Sequence, residues 1–198
     1  MKVILFDYGA GNIHSLAKAL ARGGATVQIE PDPLKCAEGD ALVLPGVGAF
    51  SPAADRLRPG RDRMRRAIES GLPCLGICLG MQLFFETSEE GDGEGLGLFR
   101  GRVRRLRSGR VPQIGWNTLD RPRDPLFSAA NLQDIYYANS YVCRPQDDAA
   151  VTAWSRHGEE EFPAAVRLGR AVGVQFHPEK SSAAGLAFIA AFLEEARS

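Results

Sequence analysis

The pentapeptide Gly76-Ile77-Cys78-Leu79-Gly80 puts a cysteine where a short apolar run, Pro73-Cys74-Leu75-Gly76-Ile77, gives way to helical sequence. A nucleophile on such a strand-to-helix turn adopts a strained backbone conformation, and glycines two residues to either side let strand and helix approach closely. The turn presents the sulfur at the carboxyl end of a sheet, where open α/β folds take their ligands. It also sets the sulfur at a helix N-terminus, whose positive end favours a thiolate. The alternative use of a free cysteine is as a small buried hydrophobe, and this is the reading for Cys36, Cys74 and Cys143.

A thiolate nucleophile needs a proton carrier, first to protonate a departing amine and later to activate water. The chain offers three histidines. His14 falls in the first turn of the first helical segment, and His157 lies in the polar stretch Ser155-Arg156-His157-Gly158-Glu159. His177 instead ends the apolar run Val172-Gly173-Val174-Gln175-Phe176 and is followed by Pro178-Glu179. In extended chain, side chains two residues apart point the same way, so Glu179 projects beside His177. The imidazole nitrogen facing away from the sulfur can then donate to the carboxylate, which fixes the tautomer. Taken alone, this segment reads equally well as a packed histidine beside a surface glutamate. What distinguishes the two is whether parallel strands bring both carboxyl ends to one edge.

The surrounding pattern supplies such strands. Residues 3–8 form an apolar run, and Asn12 can cap a helix with Ile13, Leu16, Ala17 and Leu20 on one stripe, ending at Gly23-Gly24. Strands are expected at about 25–29 and 41–44, a helix at about 52–70, the buried strand at 73–77 and a helix from Leu79 to Glu86. Alternating β and α segments with short connections predict a mostly parallel sheet with helices on both faces. After the acidic, glycine-rich loop at 89–97, further strands are expected at about 99–106, 111–116, 134–142, 150–154, 163–167 and 171–176. A last helix spans about 182–196, with Leu186, Ile189, Ala190 and Leu193 on one stripe. The fold class expected is therefore α/β: one domain over 1–198, an open and mostly parallel sheet flanked by helices, with an antiparallel β insertion in the second half.

Composition narrows the function. A chain of 198 residues, 44% hydrophobic and 24% charged with zero formal net charge, has no global attraction for nucleic acid or anionic membrane. Arg56, Arg58, Arg61, Arg63, Arg65 and Arg66 crowd one segment, but Asp55, Asp62 and Glu69 punctuate it as on a solvated helix face. Arg100, Arg102, Arg104, Arg105 and Arg107 partly alternate, like the wet side of a strand. No signal peptide or membrane span fits, so a cytoplasmic protein with reduced thiols is expected. No cysteine pair has C-x-x-C spacing and no histidine falls near the cysteines in sequence, so neither a metal nor a cofactor is expected.

Together, Gly-Ile-Cys-Leu-Gly-Met-Gln at 76–82 and Gln-Phe-His-Pro-Glu at 175–179 resemble the two hallmarks of the class I (triad-type) glutamine amidotransferases. Four further stretches are closer to the glutaminase subunits of imidazole glycerol phosphate synthase: Asp7–Asn12, Pro45–Phe50, Pro112–Asn117, and Lys180-Ser181 after the glutamate. The resemblance runs the whole length. It implies that Cys78, His177 and Glu179 are a catalytic triad working through a thioester, and that Val47, Gly48 and Leu79 supply the oxyanion hole. The glycines at 46 and 48 would permit a peptide flip near Val47. Gly46, Gln82, Ser140 and Tyr141 are matched to glutamine binding. The family usually carries His-Ser-Tyr where this chain has Asn139-Ser140-Tyr141, so the role of that histidine does not transfer. The implied partner is a (β/α)₈-barrel cyclase subunit that takes the ammonia for histidine biosynthesis. Asn12, Trp116, Asn117, Tyr136 and Lys180 are the candidate contacts; for Trp116 and Tyr136, core packing is an equal alternative. The rival readings are a cysteine hydrolase of another substrate, a binding subunit without activity, and a nucleic-acid binder using the arginine segments.

Overall fold

A computed structural model of the chain describes residues 1–9 and 13–198; Asn12, the expected helix cap and partner contact, lies outside the described residues. The elements run β1 (Lys2–Phe6), α1 (His14–Arg22), β2 (Thr26–Glu30), β3 (Ala41–Leu44), α2 (Phe50–Leu57), α3 (Arg61–Glu69), β4 (Cys74–Ile77), α4 (Leu79–Gln82), β5 (Phe85–Ser88) and β6 (Phe99–Arg105). They continue with β7 (Gln113–Thr118), α5 (Pro125–Ala129), β8 (Asp134–Asn139), β9 (Tyr141–Pro145), β10 (Val151–His157), β11 (Glu160–Leu168), β12 (Ala171–Val174) and α6 (Ser182–Arg197).

The main sheet has the order β10-β11-β12-β4-β3-β1-β2. The run from β12 to β2 is parallel, whereas β10 and β11 add antiparallel strands at one edge. Strands β3, β4 and β12 are buried along their whole length, as parallel strands covered on both faces must be. Successive β1 side chains feed two cores: Val3 and Leu5 join α1 and α6 on one face, while Ile4 and Phe6 join α2, α3 and α4 on the other. Register then sets the site. Val174 pairs with Ile77 and Leu44 with Gly76, so β12, β4 and β3 end level with one another. Cys78, the 175–179 segment and the Pro45–Gly48 segment therefore leave the same edge side by side.

Several expectations are corrected. The helix expected over 52–70 is broken at Pro59, which has no N–H to donate, into α2, a 3₁₀ turn at Arg58–Gly60 and α3. The helix expected from Leu79 to Glu86 is a single turn, α4. Phe85 instead enters strand β5 and stacks on Phe99 at 5.5 Å, and Leu98 donates to the Phe84 carbonyl at 2.8 Å. Tertiary pairing overrides a helical propensity here. The strand expected at 134–142 is two strands in different sheets, with β8 pairing β7 and β9 pairing β6, and Ser140 sits at the break. The antiparallel strands do fall in the second half, as expected, shared among the β10–β11–β12 edge, the β6–β9 pair and the β7–β8 hairpin. On α6 the buried stripe is Gly185, Phe188, Ile189, Phe192 and Leu193, rotated from the expected one, with Leu186 and Ala190 only half-buried.

The arginine-rich stretches take the expected solvated form. Arg65 meets Glu69 at 2.8 Å, Arg63 meets Glu38 at 3.4 Å, and Arg61 pairs with Glu94. On β6 the arginines at 100, 102 and 104 alternate outward against buried Phe99, Gly101 and Val103. Among the described residues no helix is long and apolar enough to cross a membrane.

Candidate active site

Cys78 has φ +47° and ψ −103°, strained for any residue with a side chain. Its backbone N–H donates to the Val174 carbonyl at 2.7 Å, which fastens the turn to β12. The flanking glycines are sterically required. A Cβ on Gly76 would lie 2.7 Å from the Gly80 oxygen, and one on Gly80 would lie 2.1 Å from the Leu44 oxygen. The elbow is therefore pressed against β3, whose continuation is the Pro45–Gly48 segment. Tyr8, buried, donates its hydroxyl to the Pro45 carbonyl and anchors the start of that segment. Gly48 sits at φ +111°, a conformation that favours glycine.

His177 is held by its backbone as well as its ring. Its N–H donates to the Tyr136 carbonyl at 2.8 Å, and its carbonyl accepts from the Ser181 hydroxyl at 2.7 Å. Nδ1 lies 2.8 Å from Glu179 Oε1, and the ring also lies close enough to Cys78 for the two groups to couple electrostatically. Sulfur and imidazole thus share one wall, with the carboxylate hydrogen-bonded behind the ring. Burial works to lower the His177 pKa, but the charge and hydrogen bond of Cys78, followed by those of Glu179, outweigh it and raise it to about 10. The arrangement favours the protonated ring. Burial pushes the Cys74 and Cys143 thiols well up and Cys36 up to about 12, so these three remain neutral thiols in the core.

A cavity of about 330 Å³ opens over the sulfur. Its walls include Gly46, Val47, Gly48, Cys78, Leu79, Gln82, Asn139, Ser140, Tyr141, His177 and Lys180. The structure thus brings together, around one space, every residue singled out for the oxyanion and substrate roles. Gly46 is packed against the imidazole: a Cβ there would lie 2.9 Å from His177 Cε1. Asn139 donates Nδ2 to the Tyr141 carbonyl at 3.0 Å, and its buried Oδ1 has no partner among the described residues. The candidate contact residues separate. Trp116 is 57% exposed, against the core-packing alternative, and meets Tyr136 edge-on at 5.9 Å. Lys180 lies over the Tyr136 ring at 6.0 Å. Asn117 spends its amide internally, on the Arg156 carbonyl and the Thr118 N–H.

Two residues at the site carried no expectation. Glu90, from the acidic loop, lines the cavity and accepts from the Phe50 N–H at 2.8 Å, at the start of α2. Nothing local distinguishes it from its three acidic neighbours in 89–97. Gln175, wholly buried, donates Nε2 to the Cys78 sulfur at 3.4 Å. Its signal was available, because it precedes His177 by two residues and so shares its side of the chain. No three His, Cys, Asp or Glu side chains among the described residues are placed to hold a metal ion.

Residues 4–196 match the profile of the family described as "Glutamine amidotransferase class-I". The chain is 43% identical over 202 residues to the imidazole glycerol phosphate synthase subunit HisH of Synechococcus sp. (strain JA-3-3Ab), covering 98% of this chain and 94% of that one. It is 42% identical over 203 residues to the subunit of the same name from Natronomonas pharaonis, again covering 98% and 94%. Among solved structures it resembles a crystal structure of a glutamine amidotransferase with TM-score 0.76 at 22% identity, covering 98% and 99% of the two chains. It resembles PurLQS from Thermotoga maritima with TM-score 0.71 at 22% identity, covering 98% of each. These last two likenesses concern the fold.

Proposed function

Because the chain belongs to the class-I glutamine amidotransferases, we propose that it hydrolyses glutamine as the glutaminase subunit of an imidazole glycerol phosphate synthase. The observation that carries the reading is Cys78 and His177 together at the wall of the cavity, with Glu179 hydrogen-bonded to the imidazole. The Cys78 thiolate attacks the side-chain amide carbon of glutamine, and the carbonyl electron pair moves onto oxygen. Backbone amides of Leu79 and of the Val47–Gly48 stretch receive that charge, after a peptide flip near Val47. On collapse, the C–N bond breaks and the His177 imidazolium gives its Nε2 proton to the departing nitrogen, releasing ammonia. Water then attacks the thioester, surrenders a proton to Nε2, and expels the thiolate with glutamate as the second product. Glu179 holds the imidazole in one tautomer throughout.

At the other end of the substrate, Gln82, Ser140 and Tyr141 face the amino-acid group, with Gly46 beside the amide. Glu90 contributes a carboxylate to the same cavity, suited to a substrate ammonium. The unpartnered Asn139 oxygen offers a further acceptor where the family usually has histidine.

Ammonia set free in water at neutral pH is protonated and lost, so the product needs a receiver. A (β/α)₈-barrel cyclase subunit would use it to make imidazole glycerol phosphate and an aminoimidazole carboxamide ribonucleotide in the cytoplasm. Exposed Trp116 and Lys180 beside half-buried Tyr136 form an aromatic and cationic group suited to that contact, with Asn12 and Asn117 as further candidates. The isolated chain is expected to be a poor glutaminase that the partner and its ligand activate. The test is glutamine hydrolysis with and without the barrel subunit and its ligand. Cys78→Ser should abolish it, and undiminished hydrolysis in that variant would overturn the assignment.

A further inference from the structure

We propose that Gln175 is a positioning residue for the nucleophile, holding an N–H donor against the Cys78 sulfur through a chain of amides that starts at the Tyr141 carbonyl. The inference rests on the role proposed for Cys78 and adds a second partner for its sulfur.

The direction of the chain follows from what each group can do. A backbone carbonyl only accepts, so the Gln82 carboxamide must turn its NH₂ toward Tyr141, at 3.1 Å. The same Nε2 lies 3.4 Å from the Gln175 side chain, which must therefore present its oxygen. With its oxygen committed there, Gln175 can offer the sulfur only its NH₂, at 3.4 Å. Flipping either amide would set two donors or two acceptors face to face, and Gln175 is wholly buried, so no water replaces its lost bond. The sulfur is thus approached by the Gln175 Nε2 donor, with the His177 ring also beside it and the cavity lined by Cys78 itself. A neutral thiol accepts weakly and a thiolate strongly, so this donor favours the attacking form. The backbone of Gln175 is itself fixed, donating to the Ala164 carbonyl at 2.9 Å.

The chain also joins two parts of the site. Tyr141 begins β9, in a different sheet from the elbow, and it lines the cavity. Displacing that strand would slacken Gln82 and then Gln175, so the sulfur senses the wall that receives the substrate. The other titratable groups around the sulfur are His177, Tyr8, Tyr137 and Cys143, with Glu90 and Lys180 on the cavity wall. Burial keeps Tyr8, Tyr137 and Cys143 neutral. His177, Glu90 and Lys180 are untouched by a change at Gln175.

The test is the pH profile of Cys78 alkylation by iodoacetamide in the full-length chain, read by peptide mass spectrometry, with Cys78→Ser as the unlabelled control. Gln175→Met keeps the length and removes the donor, and should raise the midpoint by about one pH unit, a tenfold slower reaction on the acid side. Gln175→Glu should raise it further. Should both fail to fold, Gln82→Met, which frees the oxygen end of Gln175, should raise it by a smaller amount. In the assembled enzyme Gln175→Met should lower kcat with little change in KM. Midpoints within about 0.3 unit of the parent in every folded variant would overturn the proposal. That result would leave the glutaminase reading standing, provided Cys78→Ser is inactive; an active Cys78→Ser would instead sink the glutaminase reading.

Discussion

Replacing Glu179 by glutamine removes a charge while keeping an acceptor, because a carboxamide oxygen can still take the proton on His177 Nδ1 across the present 2.8 Å. Both side chains are shielded, 2% exposed for His177 and 9% for Glu179. Unit charges about 4 Å apart attract by roughly 4 kcal/mol at an effective dielectric near 20, or about 3 pKa units. The imidazolium, now held to about 10 against the cost of burial, should therefore fall toward about 7 in E179Q. The sign is that of a cation losing an anion: the variant sheds its ring proton as pH rises through neutrality, whereas the parent keeps it until about 10. Ring-nitrogen NMR of ¹⁵N-histidine-labelled protein measures this directly, with His14 and His157 as internal references. At about pH 8 glutaminase kcat should drop roughly tenfold, because only about a tenth of the proton donor for the leaving nitrogen remains. A His177 midpoint within about half a unit of the parent would refute the reasoning, since Glu179 would then contribute geometry and no field.

Other outcomes follow from the same coordinates. Gly80→Ala drives a Cβ to within 2.1 Å of the Leu44 oxygen; parting the elbow from β3 by the required distance of about 1 Å should cost around a hundredfold in kcat/KM in the assembled enzyme. Asp124→Ala strips the buried carboxylate that holds Arg167 at 2.5 and 3.0 Å and caps α5 at Leu126. Arg167 keeps its two bonds to Glu195, so urea unfolding should show a loss of about 2–3 kcal/mol from the lost charged hydrogen bonds and cap, with activity per folded molecule retained. A histidine whose pKa rises on folding lends stability that is complete below its unfolded pKa of about 6.5 and is lost as pH climbs through its folded one. The urea midpoint of the parent should accordingly exceed that of E179Q most clearly near pH 6.5, and the gap should close above about 10.

What the linear chain determined is whatever depends on local geometry. The spacing of Gly76 and Gly80 about Cys78 encodes a strained turn because a Cβ on Gly76 would collide with the Gly80 carbonyl four residues on, a rule local to the segment. His177 and Glu179 share a side because extended backbone alternates. The alternation of apolar runs with amphipathic helices likewise announced a parallel sheet. Tertiary structure decided whatever depends on register and on segments distant in sequence meeting. The level ends of β3, β4 and β12 turn three separate segments into one site. The break at Ser140 exists because β8 and β9 are claimed by different sheets. Helical propensity after Gln82 yields to the pairing of β5 with β6. Glu90 reaches the cavity only because its loop folds back onto the start of α2, and Gln175 touches the sulfur only because β12 lies beside β4. Periodicity records which way a side chain leaves its own backbone; what it meets there is set by packing among strands that the linear order does not place together.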